Sequence, residues 1–316
     1  MKHIRTIILG WAAWTCCALG TPHLLAREDP LSSQIKIHKE ISRANANDPA
    51  PLQKLGSLYL QAGKPRKAVF YFRKVLQMDS AQIPAWVELG NCFLAMGKPT
   101  EAIDAFERAL EIDPSLGPAY ANLGVAHLRQ GTPENAIRIL QKSLEVAPDQ
   151  SLAHYHLAEA YWTVGEVDAA ISEMNACIVG LPNLLRAHMR LAEILEETGR
   201  YIEAIKAYQE ARELSPTLPL IHLRLARLFD YKLTHIPEAL QSYKSYMRWN
   251  EGTDRKVRRR IDLLTDQLYV SALKSYSVGD IDRAMDLLQH ILDIKATHKS
   301  ARELANKIRA QKRTNY

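Results

Sequence analysis

Three imidazoles recur at a constant interval: His154, His188 and His222 stand 34 residues apart. Histidine is a common metal ligand, at bond lengths of about 2 Å. Adjacent packed helices lie about 8–10 Å apart, so rings placed one structural repeat apart need not converge on one ion. The same column holds Trp86 and Tyr120, which are planar packing residues, and the histidines read as their partly polar substitutes. His156 lies two residues further along and points to a different helix face. Cys92 and Cys177 are 85 residues apart in different structural copies, which argues for two small buried thiols rather than a disulfide. The chain has no Gly-rich phosphate loop followed by Lys, no G-x-S-x-G elbow, no C-x-x-C pair and no H-E-x-x-H. The residues therefore predict a non-catalytic chain with no metal and no cofactor.

The interval of 34 governs much more than the histidines. Leu55, Leu89, Leu123, Leu157, Leu191 and Leu225 keep it without a break. Each is followed by a tiny residue: Gly56, Gly90, Gly124, Ala158, Ala192 and Ala226. Gly63, Gly97, Gly131, Gly165 and Gly199 form a third column, and Ala68, Ala102, Ala136, Ala170 and Ala204 a fourth. One supersecondary unit is stacked many times. Within a copy, Trp86, Leu89, Phe93 and Leu94 fall at helical spacing, and Ile103, Phe106, Ala109 and Leu110 repeat the pattern. Gly97 is placed to end the first helix in a left-handed conformation. Pro114, Pro148, Pro182 and Pro216 stop the second helices. The small columns let paired helices approach closely. The sixth copy carries one extra residue before Ala239, which comes 35 residues after Ala204.

The order Trp86–Leu89–Gly90–Phe93, the Ala102 and Phe106 pair and the closing Pro114 resemble the tetratricopeptide repeat family. The resemblance runs from Pro49 to about Asn250, as six repeats. A degenerate seventh copy, with Gly279, Ala284 and Leu288 in step, and a capping helix complete residues 251–316. Leu31–Ala46 reads as an N-terminal capping helix with Leu31, Ile35, Ile37 and Ile41 as its apolar residues, after a short linker, within 27–48. The expected fold is all-α: a right-handed superhelical solenoid of helix-turn-helix repeats.

Residues 1–26 differ in kind. Lys2 and Arg5 precede an almost wholly apolar Thr6–Gly20, with small-residue cleavage candidates at Ala18-Leu19-Gly20 and Leu24-Leu25-Ala26, the layout of a secretory signal peptide. The rival is an uncleaved membrane anchor, but the apolar run falls short of the roughly 20 residues a spanning helix needs. The expected compartment is the bacterial periplasm, with membrane contact only through the leader if it is retained. The net charge of +6 is mild, and the basic run Arg255, Lys256, Arg258, Arg259 and Arg260 reads as a solvated helix face. No nucleic-acid partner is expected.

The resemblance implies that the first helices line a concave groove. Asn91, Leu94, Asn122, Leu128, Arg129, Tyr155, Glu159, Trp162, Glu193 and Glu196 stand just off the packed columns and are its candidate lining. In family members that grip extended peptides, asparagines on successive first helices bond the peptide backbone, and Asn91 and Asn122 fall where that pair falls. Lys and Arg at other places hold a terminal carboxylate. Here those places are Val87, Leu152 and His156, so that clamp is not supported. Leu94, Leu128, Tyr155 and Trp162 give the floor an apolar, aromatic middle, and Glu159, Glu193, Glu196 and Glu197 an acidic stretch. An exposed aromatic among carboxylates suits a protein segment with an apolar anchor and basic flanks. The expected function is a protein-interaction scaffold in the assembly of a cell-envelope or export complex. The alternative is a glycan-binding or enzyme-accessory subunit that engages sugar through Trp162 and Tyr155.

Overall fold

The computed structural model of the chain describes residues 30–314, so the expected leader lies outside the described residues. These residues form sixteen α-helices and one π-helical segment, with no strand among them. They divide into two compact units, meeting at Gln130 and Gly131.

The first unit runs α1 (Pro30–Ala44), α2 (Pro49–Gln61), α3 (Pro65–Met78), α4 (Ile83–Ala95), α5 (Pro99–Ile112) and α6 (Gly117–Gln130). Each helix packs on the next, and the first helices α2, α4 and α6 also touch in succession. The second unit runs α7 (Pro133–Val146), α8 (Ser151–Val164), α9 (Val167–Gly180), α10 (Leu185–Glu197), α11 (Tyr201–Leu214), α12 (Pro219–Arg227), the π segment Leu228–Lys232, α13 (Ile236–Trp249), α14 (Arg255–Ser277), α15 (Ile281–Ile294) and α16 (Lys299–Thr314). Neighbours in the chain are again neighbours in space.

Local chemistry sets the repeat. Gly97 has φ +70°, where a Cβ would be strained. Around it the Lys98 amide donates to the Phe93 carbonyl at 2.9 Å and the Gly97 amide to the Leu94 carbonyl at 3.1 Å, which closes α4. Pro99 then opens α5, where its missing N–H costs nothing. Gly90 serves a different purpose. A Cβ there would lie 2.6 Å from the ring of Phe106, and one at Gly56 would lie 2.6 Å from the ring of Phe72. Both phenylalanines are fully buried, so the missing side chain on the first helix is the space that the ring of the second helix fills.

The extra residue of the sixth copy is absorbed in the π segment. The Leu233 amide reaches back five residues to the Leu228 carbonyl at 3.1 Å, and the His235 amide six to Phe229 at 2.8 Å. A one-residue insertion widens a turn in this way without disturbing the helices around it. Its product is a buried Asp230. The Arg260 guanidinium on α14 donates to both carboxylate oxygens, at 2.6 and 2.8 Å, and the Tyr243 hydroxyl on α13 donates at 3.0 Å. The basic run is therefore not wholly a solvated face, because Arg260 turns inward. Its bond to Asp230 holds the guanidinium pKa above its ordinary value.

One further expectation is corrected. In α1, Ile37 and Ile41 are exposed at 53% and 38%, while Leu31, Ile35, His38 and Ser42 form the half-buried side. The α-helical step of three to four residues selects that stripe and rotates Ile37 and Ile41 off it. The final helix, Lys299–Thr314, lies within the expected capping region and buries Ala301, Leu304, Ala305 and Ile308. Cys92 and Cys177 are free and buried, and burial raises both thiol pKa values, that of Cys92 to about 12. Neither forms appreciable thiolate at neutral pH.

Candidate functional site

The candidate residues fall on the first helices of both units, and each unit is taken by itself. In the first unit, Asn91 on α4 and Asn122 on α6 face each other, and the Asn122 amide donates to Asn91 Oδ1 at 3.2 Å. The Arg129 guanidinium donates to the Leu94 carbonyl at 2.7 Å, capping the last turn of α4. Leu94 and Leu128 are half-buried. The two asparagines thus form one bridge between neighbouring first helices. Each side chain has further hydrogen-bonding capacity: Asn91 through its Nδ2, Asn122 through its Oδ1.

In the second unit the same bridge is ionic. Arg190 on α10 stands 68 residues after Asn122, and Glu159 on α8 stands 68 after Asn91. Arg190 Nε donates to Glu159 at 2.6 Å, and a second nitrogen reaches Glu193 at 3.4 Å. Partial burial works against the charge of Arg190, but the two carboxylates outweigh it and its pKa stands above the ordinary guanidinium value. The guanidinium also lies 5.7 Å from the centre of the Trp162 ring, and Arg186 lies 4.9 Å from that of Tyr155. Glu196 accepts from the Tyr208 hydroxyl at 2.9 Å and faces Arg224 at 3.7 Å. Burial, and then Glu196, hold the Tyr208 phenol well above its usual pKa. Glu193, Glu196, Glu197, Tyr201, Arg224 and Lys232 line a cavity of about 300 Å³.

This geometry corrects the expected exposed aromatic on an acidic floor. Trp162 and Tyr155 are half-buried against the core of their unit, since α8, which carries them both, packs on α7 and α9. The carboxylates are interleaved with Arg190 and Arg224, which sequence reasoning left out of the lining. The signal was available: Glu88, Asn122, His156, Arg190 and Arg224 form one column of period 34, and Ser57, Asn91, Val125, Glu159 and Glu193 another.

The histidine column has a structural role that its spacing did not disclose. His188 Nε2 lies 2.8 Å from the Pro182 carbonyl and His222 Nε2 2.7 Å from the Pro216 carbonyl, six residues back in each case. A carbonyl only accepts, so both rings carry the proton on Nε2. Trp86 Nε1 makes the same bond to the Ser80 carbonyl at 2.9 Å. The column selects a planar ring with an N–H that ties the first helix to the closing turn before it. His154 instead bonds Glu173 through Nδ1 at 2.6 Å. Among the described residues, no three His, Cys, Asp or Glu side chains gather as a metal site.

Tetratricopeptide repeat models match residues 51–82, 83–116, 127–177 and 185–218. No curated protein matches the chain. Among solved structures, the chain is similar to pilF of Pseudomonas aeruginosa at 18% identity, covering 71% of this chain and 96% of that one with a TM-score of 0.55. It is similar to the APC/C hetero-tetramer Cut9–Hcn1 at 19% identity, covering 74% of this chain and 46% of that one with a TM-score of 0.57. It also resembles MamA at 26% identity, over 51% of this chain and 95% of that one, with a TM-score of 0.47. At these identities the likeness to pilF and Cut9–Hcn1 is one of fold. Together with the four-column period and the helix pairs it builds, the repeat matches place this chain in the tetratricopeptide repeat family.

Proposed function

We propose that the chain is a non-catalytic scaffold of the cell envelope that holds a protein segment against the first helices of residues 131–314. The observation that carries this reading is the ladder formed by Arg186 on Tyr155, Arg190 on Trp162, and Glu159, Glu193 and Glu196 around them. Such a surface offers two aromatic rings on α8 beside paired charges that bridge α8 and α10. An extended chain can use both, its apolar side chains on the aromatics and its polar ones on the charges. The glycan alternative is less favoured, because a sugar stacks on a free ring face and Arg190 and Arg186 stand over these rings. The envelope assignment rests on the leader-like residues 1–26, and N-terminal sequencing of the native protein distinguishes a cleaved leader from a retained anchor.

The test is affinity purification of partners from the native envelope by the parent and by Trp162→Ala. Truncating a central aromatic typically costs about 2 kcal/mol or more at a hot spot, a loss of roughly thirtyfold in affinity. The variant is expected to melt somewhat lower, since Trp162 touches the core, yet to keep its helical spectrum and lose the captured protein. A folded variant that captures the same protein in the same amount would place binding elsewhere. Quenching of Trp162 by an oligosaccharide, with no protein captured by the parent, would favour the glycan reading.

A further inference from the structure

Besides the 255–260 run, the first unit carries an excess of positive charge of its own. Residues 30–78 contain nine Lys and Arg against two Asp and Glu, in a chain whose total is +6. Helix α3, Pro65–Met78, has no acidic residue. Its solvent side carries Arg66, Lys67, Phe70, Arg73 and Lys74, all exposed, at the spacing of one helix face. Phe70 projects from the middle of that face, 54% exposed, with the Lys74 ammonium 4.7 Å from its ring centre. The charge continues onto α1. Lys39 and Lys67 stand 5.8 and 5.6 Å from the same Tyr59 ring, which brings two ammonium groups from two helices to one place. Among the described residues none of these Lys and Arg side chains has an ion-pair partner. The next second helix, α5, is the opposite, with Glu101, Asp104, Glu107 and Glu111, so the patch has a boundary.

We infer that this face of α3 docks on an anionic lipid surface. Like charges held together without counter-charges raise the local potential, and the stored repulsion is relieved by a polyanion. The central phenylalanine decides between polyanions. A projecting aromatic on the same helix face as four cations matches a bilayer interface, where the ring enters the headgroup boundary and the cations meet lipid phosphates. An acidic protein would have to supply a pocket for Phe70 as well as the charge. Binding of this kind needs neither the first-helix face of residues 131–314 nor the leader.

The experiment uses the full chain with vesicles of phosphatidylcholine alone and of phosphatidylcholine with phosphatidylglycerol. Lys2, Arg5 and the other basic runs add to the preference for anionic vesicles, so the patch is reported by the part of that preference that the α3 variants remove. We expect tighter binding to the anionic vesicles, weakened by salt. We expect Arg66→Glu/Arg73→Glu/Lys74→Glu to reduce that gain by about tenfold or more. Phe70→Ser should weaken it at all salt concentrations, and Lys256→Glu/Arg259→Glu should remove much less of it. The milder Arg66→Gln/Lys74→Gln serves if the triple variant melts early, and it should lose part of the gain. Equal binding to both vesicle types would overturn the proposal. So would a gain that survives both α3 charge variants. Tight binding to polyglutamate that is indifferent to Phe70→Ser would assign the patch to an acidic protein instead.

Discussion

Arg260→Ala is expected to lower the unfolding free energy of residues 131–314 by about 3–5 kcal/mol, the usual cost of leaving a buried charge without its partner. The Asp230 carboxylate is 1% exposed, so its remaining contact would be the Tyr243 hydroxyl. Asp230→Ala should cost nearer the lower end, about 3 kcal/mol, because the Arg260 side chain is 28% exposed and can turn to water. The double variant should cost less than the sum of the two, since both remove one interaction. Arg258→Ala, two residues away and exposed, should stay within about 0.5 kcal/mol of the parent. Urea unfolding followed by helical circular dichroism measures all four. Equal midpoints for Arg260→Ala and Arg258→Ala would mean that the π segment is not fastened to α14 by this pair.

The second large effect belongs to Gly90. Even a methyl group there would lie 2.6 Å from the fully buried Phe106 ring, so Gly90→Ala must displace the ring, and Gly90→Leu must displace it much further. Overpacking of this kind costs about 1–3 kcal/mol, and the leucine should fall at or above the upper end. Shrinking the ring should restore part of the loss, so Gly90→Ala/Phe106→Leu should melt closer to the parent than additivity allows. An unchanged melting temperature for Gly90→Leu would show that the small column does not mark close helix contact.

The repeat was legible in the sequence because every structural constraint recurs. Leu89, Gly90, Gly97 and Ala102 each answer a local demand of packing or φ, and the same demand returns 34 residues later. The contacts on the first-helix face were less legible. Asn91 meets Asn122, and Glu159 meets Arg190, across a separation of 31 rather than 34. Period analysis brings out the columns but not the angle at which neighbouring helices cross, and that angle decides which columns meet. The hydrogen bond from ring to turn at His188 and His222 was hidden for a similar reason, since the acceptor is a backbone carbonyl and leaves no side-chain signature. Asp230 was concealed by the insertion. The extra residue before Ala239 was visible, but nothing local marks that aspartate as buried, because its partner Arg260 lies 30 residues on in a run that reads as surface charge.

Residue-specific photocrosslinking tests the partner-binding face most directly. A benzoylphenylalanine is placed at Glu197, exposed on first helix α10 beside the cavity, and separately at Val179, 83% exposed on second helix α9. Both full-length variants are irradiated in the native host cells. The scaffold reading predicts that position 197 forms a discrete adduct with one protein and position 179 does not. The same adduct at both positions, or one at 179 alone, would contradict it.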